Sequence, residues 1–338
     1  MWNRRLVLVL VVAACICLIF GIIRMNPRDA GSAEKEYPNK PITFIINFPP
    51  GSSGDVPMRI AHGLLQETLG VPIVLENKAG AGGGLAADFV AKAKPDGYTI
   101  LAGGAAGLTI GPTISAARTS NYTHFASVCS YSADYVAVVC RPNAPFKTLK
   151  ELIDYAKKNP GKLNCATAGN GSVAHFFLEF FKMSYGVDIV PVHFAGGPPA
   201  KNAIMGGHVD LACPSLGSMI PLIKSGDLIL MVTGAPKRVK DFPDIPTMAD
   251  EGFPKALTIW SGIFAQAKCP KPVLDKLSKA MAKVFNDPEV IAKIEKAGLN
   301  PDYLDSALAQ KRLVEEFNTV TEIVQKGRIG KLKPEEMK

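Results

Sequence analysis

Along most of the chain, short β-rich apolar runs take turns with stretches of helical periodicity. Residues 42–47 form one such run and lead into a Pro/Gly/Ser loop. Over 55–69, Val56, Ile60, Leu64 and Leu65 fall on one face at helical spacing, which predicts an amphipathic helix. Residues 73–76 predict a second strand and 85–93, after a Gly-rich loop, a second helix. The turn signal Pro95-Asp96-Gly97 opens a strand over 98–102. The second half repeats the theme. Thr148 and Glu151 have capping-box spacing at the head of a helix that ends near Asn159-Pro160-Gly161. A strand over 162–166 leads through the loop 167–171 into a helix that buries Phe176, Phe177, Phe180 and Phe181. Residues 187–194, 209–213 and 228–232 predict further strands. Asp287 and Pro288 open a helix that Gly298 closes, and a long helix over about 304–325 follows. Alternation of this kind predicts an α/β protein with parallel sheets covered by helices.

The first 33 residues break the pattern. Arg4 and Arg5 precede eighteen residues, 6–23, without a charge, which is an export signature. As a helix that stretch would span about 27 Å, close to a bilayer core. Three fates stay open: cleavage after Ala33, lipidation at Cys15 in Val12-Ala13-Ala14-Cys15, or retention as an inner-membrane anchor. The remaining chain of about 300 residues exceeds what one core usually supports, so two lobes are expected.

Charge changes little. The leader's four arginines and one aspartate carry +3 of the formal +8, leaving about +5 on the rest. Lys and Arg are scattered, with no basic run interleaved with aromatics, so no nucleic-acid partner is expected. Outside the leader stand Cys129, Cys140, Cys165, Cys213 and Cys269, with no CxxC pair. One disulfide is compatible with an oxidising compartment, the pairing being open, and Cys129 and Cys140 flank a possible turn near Asp134. The five His residues form no H-E-x-x-H or similar cluster, so neither metal nor cofactor is expected.

Two loops carry candidate chemistry. The first is Phe48-Pro49-Pro50-Gly51-Ser52-Ser53-Gly54-Asp55. The second is Ala168-Gly169-Asn170-Gly171-Ser172, with His175 one turn into the helix. Each follows a strand and opens a helix, where unpaired N–H groups and the helix dipole favour an anion. Glycines let the backbone approach closely, and Ser52, Ser53 and Ser172 add hydroxyl donors. Neither loop contains Lys or Arg. Amide bonds to an ion contribute about 1.5–3 kcal/mol each, so three or four could reach micromolar affinity once ordering costs are met. The bland alternative is that both loops only cap helices. Ser172 and His175 also suggest a nucleophile and its base, but Gly169–Val173 lacks the G-x-S-x-G pattern of a strand–helix nucleophile. Gly82-Gly83-Gly84-Leu85-Ala86-Ala87 fits a weak dinucleotide pattern, and reads more simply as a tight turn with close helix packing.

In order, these residues resemble the substrate-binding proteins of tripartite tricarboxylate transporters, the Bug receptors. The resemblance runs from Tyr37-Pro38-Asn39-Lys40-Pro41-Ile42 through the 48–55 loop, Val74-Leu75-Glu76-Asn77-Lys78-Ala79-Gly80 and Pro95-Asp96-Gly97-Tyr98-Thr99. It continues through Gly171-Ser172 with His175, Pro199-Ala200, Gly206-Gly207-His208-Val209-Asp210, Pro243-Asp244-Ile245-Pro246-Thr247 and Trp260-Ser261-Gly262. It implies a type II periplasmic-binding-protein fold, with two α/β lobes around a ligand cleft. The lobes would be residues 37–137 with 256–338, and residues 138–255. It further implies an extracytoplasmic, monomeric binder, not an enzyme, that delivers a small organic carboxylate to membrane permease subunits. A sensor role beside a membrane signalling partner uses the same fold, and a Ser172/His175 hydrolase is the remaining alternative. Ligand contacts carried over are Pro50, Gly51, Ser52, Ser53, Asp55, Gly104 and Ala105 from one lobe. From the other come Gly169, Gly171, Ser172 and His175, with Phe194 as a further candidate. Three departures stand out: Ser52 where the family has glycine, Phe194-Ala195 where it has a tyrosine and a lysine, and Pro214 near an expected acidic or amide position.

Overall fold

The computed structural model describes residues 36–114, 119–252 and 258–327. The leader, residues 1–33, lies outside them. Strand β1 (Ile42–Ile46) is buried almost throughout, as its unbroken apolar run requires, between parallel neighbours on either side. It leads to α1 (Asp55–Leu69), β2 (Ile73–Asn77), α2 (Gly84–Ala91), β3 (Thr99–Gly104) and the short α3 (Ile110–Ile114). Next come β4 (Phe125–Tyr135), β5 (Ala137–Cys140), α4 (Leu149–Lys158), β6 (Asn164–Thr167) and α5 (Val173–Tyr185). The second half continues with β7 (Val190–His193), α6 (Gly197–Met205), β8 (Leu211–Ala212), α7 (Ile220–Lys224) and β9 (Ile229–Thr233). Strand β10 (Thr258–Gln266), α8 (Lys271–Phe285), α9 (Pro288–Lys296), β11 (Pro301–Leu304) and α10 (Ser306–Gly327) complete the chain.

The described strands form two sheets, ordered β11-β4-β10-β3-β1-β2 and β7-β6-β8-β5-β9. Both are mixed rather than parallel. Strand β10 runs antiparallel to β3 and β4, and β5 runs antiparallel to β8 and β9. The cause is the crossover: the chain leaves the first sheet at β4, enters the second at β5 and returns as β10. A strand arriving from the other sheet enters where the parallel strands end, and so runs back along them. The possible turn near Asp134 is this crossover, with Cys129 and Cys140 on successive strands.

Helix starts match their caps. Thr148 Oγ accepts the Glu151 N–H at 3.2 Å, and Asp287 accepts the N–H groups of Glu289 and Val290. The inward face of α1 differs from the expected one. Met58, Ala61, Leu65 and Leu69 are buried, while Val56, Ile60 and Leu64 are half-buried, because α1 also packs against α8 and α9. The second sheet's core holds Phe176, Phe177, Phe180 and Phe181, as expected. Each such side chain contributes about 1.5–3 kcal/mol of burial. The same core takes in Ile110 and Ile114 from α3 and Val320 and Ile323 from α10, while Leu313 of α10 packs with Ile45, Leu101 and Phe264 of the first sheet. One helix thus serves both cores. Cys165 and Cys213 lie with sulfurs 3.6 Å apart, and all five described cysteines are buried free thiols.

Candidate functional site

The loop after β1 is shaped by side chains behind it. Asn47 clamps Gly104, accepting its N–H at 3.0 Å and donating to its carbonyl at 2.7 Å. Gly103 has φ +118°, and a Cβ there would lie 2.2 Å from Asn47 Oδ1, so only glycine fits. Asp55 is wholly buried. Its Oδ2 accepts from Gly51 N (2.9 Å) and Arg59 Nε (2.7 Å), and its Oδ1 accepts from Asn77 Nδ2 (2.8 Å). Asn77 also donates to Phe48 O, and Tyr131 Oη donates to Gly54 O. These bonds fix residues 48–54 from both sides. Within that fixed turn the Ser52 hydroxyl is buried and has no hydrogen-bond partner among the described residues.

The second loop is held by histidine. Ser172 caps α5 by accepting the His175 N–H at 3.2 Å, which leaves its own hydroxyl proton free to donate. His175 Nδ1 accepts the Gly171 N–H at 3.2 Å, so the imidazole is neutral and protonated on Nε2. Burial, then the neighbouring His193 and Lys182, pulls the His175 pKa down to about 3. The His193 ring stands edge-on at 4.6 Å, with its Nδ1 at 2.7 Å from Thr167 Oγ1. Gly171, with φ +80°, makes the turn into the helix. The N–H groups of Val173 and Ala174, first in α5, have no acceptor among the described residues.

Both loops open on one cavity of about 410 Å³. Of the expected residues, Gly51, Ser52, Ser53, Gly104 and Ser172 line it. Pro50, Asp55, Ala105, Gly169, Gly171, His175 and Phe194 do not. Asp55 and His175 hold the loops from behind instead, and the Gly171 N–H that could have met a ligand is taken by His175. The cavity also recruits residues the loop pattern did not single out: Pro198, Lys201 and Asn202 of α6, Ser215 and Ser218 before α7, and Trp260 of β10. Lys201 is the one charged group among the described lining residues. The Pro-rich start of α6 after two glycines was the readable sign of another helix N-terminus. The Trp260 indole N–H donates to Glu316 of α10, which fixes the ring in the wall.

The two lobes meet beside the cavity through glycine. Gly82, with φ +60°, lies so close to the second loop that a Cβ would sit 2.5 Å from the Gly171 carbonyl carbon. A Cβ on Gly196 would sit 2.5 Å from the Pro49 ring. The glycine run at 82–84 therefore forms an interlobe contact as well as the expected tight turn. Among the described residues, no group of three His, Cys, Asp or Glu side chains is placed to hold a metal.

Residues 58–329 match the model of the tripartite tricarboxylate transporter family receptor. The chain belongs to this receptor family. A UPF0065 protein of Bordetella pertussis is 32% identical to this receptor over 80% of its chain and 85% of the relative's. Protein BugT of the same organism is 31% identical over 78% and 82%. Among solved structures, the periplasmic binding protein BugD superposes with a TM-score of 0.79 at 30% identity, covering 88% of this receptor and all of BugD. MatC of Rhodopseudomonas palustris, solved with bound malate, superposes with a TM-score of 0.79 at 28% identity, covering 85% of this receptor and all of MatC. The receptor thus has the two-lobed periplasmic-binding-protein fold, in a family of substrate-binding rather than catalytic proteins. Among the described residues no helix is long and apolar enough to cross a membrane.

Proposed function

We propose that the protein captures a small organic carboxylate between its lobes in the periplasm and delivers it to the membrane permease of a tripartite tricarboxylate transporter. The observation that carries this reading is the buried Ser52 hydroxyl, which lines the cavity without a partner among the described residues. Leaving such a group unpaired costs about 1–3 kcal/mol, and a ligand oxygen removes that cost. From the other lobe the N–H groups of Val173 and Ala174, which have no acceptor among the described residues, and the Ser172 hydroxyl supply donors at a helix start, where a carboxylate is favoured. MatC, of the same fold, holds malate. In this reading residues 37–137 with 256–338 and residues 138–255 are the two closing lobes, with the Gly82–Gly171 contact as their closed latch. Isothermal titration of the exported protein with mono-, di- and tricarboxylates tests it. Saturable binding with 1:1 stoichiometry, lost on replacing Ser52 and Ser172 together by alanine, is expected. Absence of binding by every carboxylate removes the proposal, and uptake that proceeds in cells lacking this protein removes the delivery step.

A further inference from the structure

The cavity has two walls of different chemistry. One gathers round Gly51: it holds Ser52, Ser53 and the start of α5, with Pro198 lying against Gly51 and Lys201 one helical turn beyond Pro198. Lys201 has no ion pair with any described residue. The other gathers round Asp134, which is buried at the end of β4. It presents Pro214, Met219, Ile259, Trp260, Ala297 and Leu299.

Two serines stand beside Asp134 in that second wall, Ser215 and Ser218, and neither offers a proton; Ser261 of β10 also lines the cavity, with its Oγ beside Gly54. Ser215 Oγ donates to Asp134 Oδ2, and Ser218 Oγ donates to Ser215 O at 2.7 Å. Asp134 also accepts from Gly217 N and Tyr135 N at 2.7 Å and from Asn300 Nδ2 at 3.3 Å, so every neighbour points a donor at it. The serine oxygens therefore face the cavity as lone pairs, with a carboxylate directly behind them. An anionic group placed there meets acceptors, apolar carbon and like charge, all unfavourable in a site shielded from water.

We propose that the ligand carries a single carboxylate and an extended apolar body, as in an aromatic or medium-chain monocarboxylate, rather than two or three carboxylates. The inference rests on the carboxylate-capture reading and specifies it. The carboxylate sits at the Gly51 wall, to which the free amides, Ser52 and Lys201 contribute. The body lies against Trp260, Leu299 and Met219. A volume of about 410 Å³ is far more than a carboxylate alone requires, and falls within the roughly 300–1,000 Å³ common for ligand pockets.

The test is calorimetry on the exported protein with acetate, butanoate, hexanoate and phenylacetate, against succinate, malate and citrate at fixed ionic strength. Affinity is expected to rise about fourfold per methylene along the chain series, the fold-change corresponding to burial of one CH₂. Phenylacetate is expected to bind at least tenfold more tightly than malate or citrate. Leu299→Ala should weaken phenylacetate several-fold and leave the shorter butanoate nearly unchanged. If malate or citrate binds most tightly and the chain series is flat, this inference fails while carboxylate capture stands. If no member of either series binds, the capture reading falls and this inference with it.

Discussion

Gly82 and Gly171 stand on different lobes, and their backbones approach so closely that neither neighbour leaves room for a side chain at position 82. Gly70 provides a natural control, since it has φ +70° with nothing within 4 Å of its would-be Cβ. Both Gly82→Ala and Gly70→Ala carry the left-handed backbone cost of about 1 kcal/mol. Only Gly82→Ala should hold the lobes apart. Its ligand affinity is expected to fall at least tenfold and its radius of gyration with ligand to exceed that of wild type, while Gly70→Ala keeps both.

Ser52→Ala separates binding from folding. The hydroxyl has no partner among the described residues, so the ligand-free variant should be as stable as wild type or more so in thermal melts. Its ligand affinity should drop by about 1–1.5 kcal/mol, roughly tenfold, visible as a smaller ligand-induced shift in Tm.

Asp55 and Arg59 form an unequal pair. The carboxylate is wholly buried, whereas the arginine side chain is 47% exposed. Asp55→Ala strands the Gly51 N–H and the Asn77 amide and should cost about 3 kcal/mol in urea unfolding, with loss of binding as the loop loosens. Arg59→Ala should cost under about 1 kcal/mol and leave affinity within a few-fold.

His175 gives the receptor an acid-sensitive fold. Its pKa of about 3 lies below the ordinary 6.5, chiefly because of burial, and burial also lowers that of His193. The unfolded chain binds protons in this window that the folded chain refuses. The neutral-imidazole contribution of His175 is therefore complete above pH 6.5 and declines as pH falls from there toward 3, by up to about 1.4 kcal/mol per pH unit, and that of His193 declines in the same direction. Urea midpoints between pH 7 and pH 4.5 should fall steeply in wild type and less steeply in His175→Gln.

Where local chemistry decides the structure, the sequence was readable. The turn residues at 51–54, the Ser172 cap and the four phenylalanines of α5 all behave as their spacing predicts. Direction was harder. Asp55 and His175 sit in loops with every mark of ligand contact, yet both turn inward because an unpaired backbone N–H lies within reach behind them. Strands β4 and β10 escaped periodicity, since each is buried on both faces and mixes Ser and Ala with aromatics, with a glycine as well in β10. The wall they build, with Trp260 and the serines beside Asp134, depends on a crossover between sheets that no local window contains.

Strand β10 lies inside the first sheet, between β3 and β4, although almost the whole second lobe precedes it in the chain. Until residue 266 has been synthesised, β3 and β4 each present an open edge, and no N-terminal fragment can complete the first sheet. In the proposed periplasmic role this order suits a chain that must be exported: the first lobe cannot be finished while the second is still being made, and the lobe that begins first is completed last.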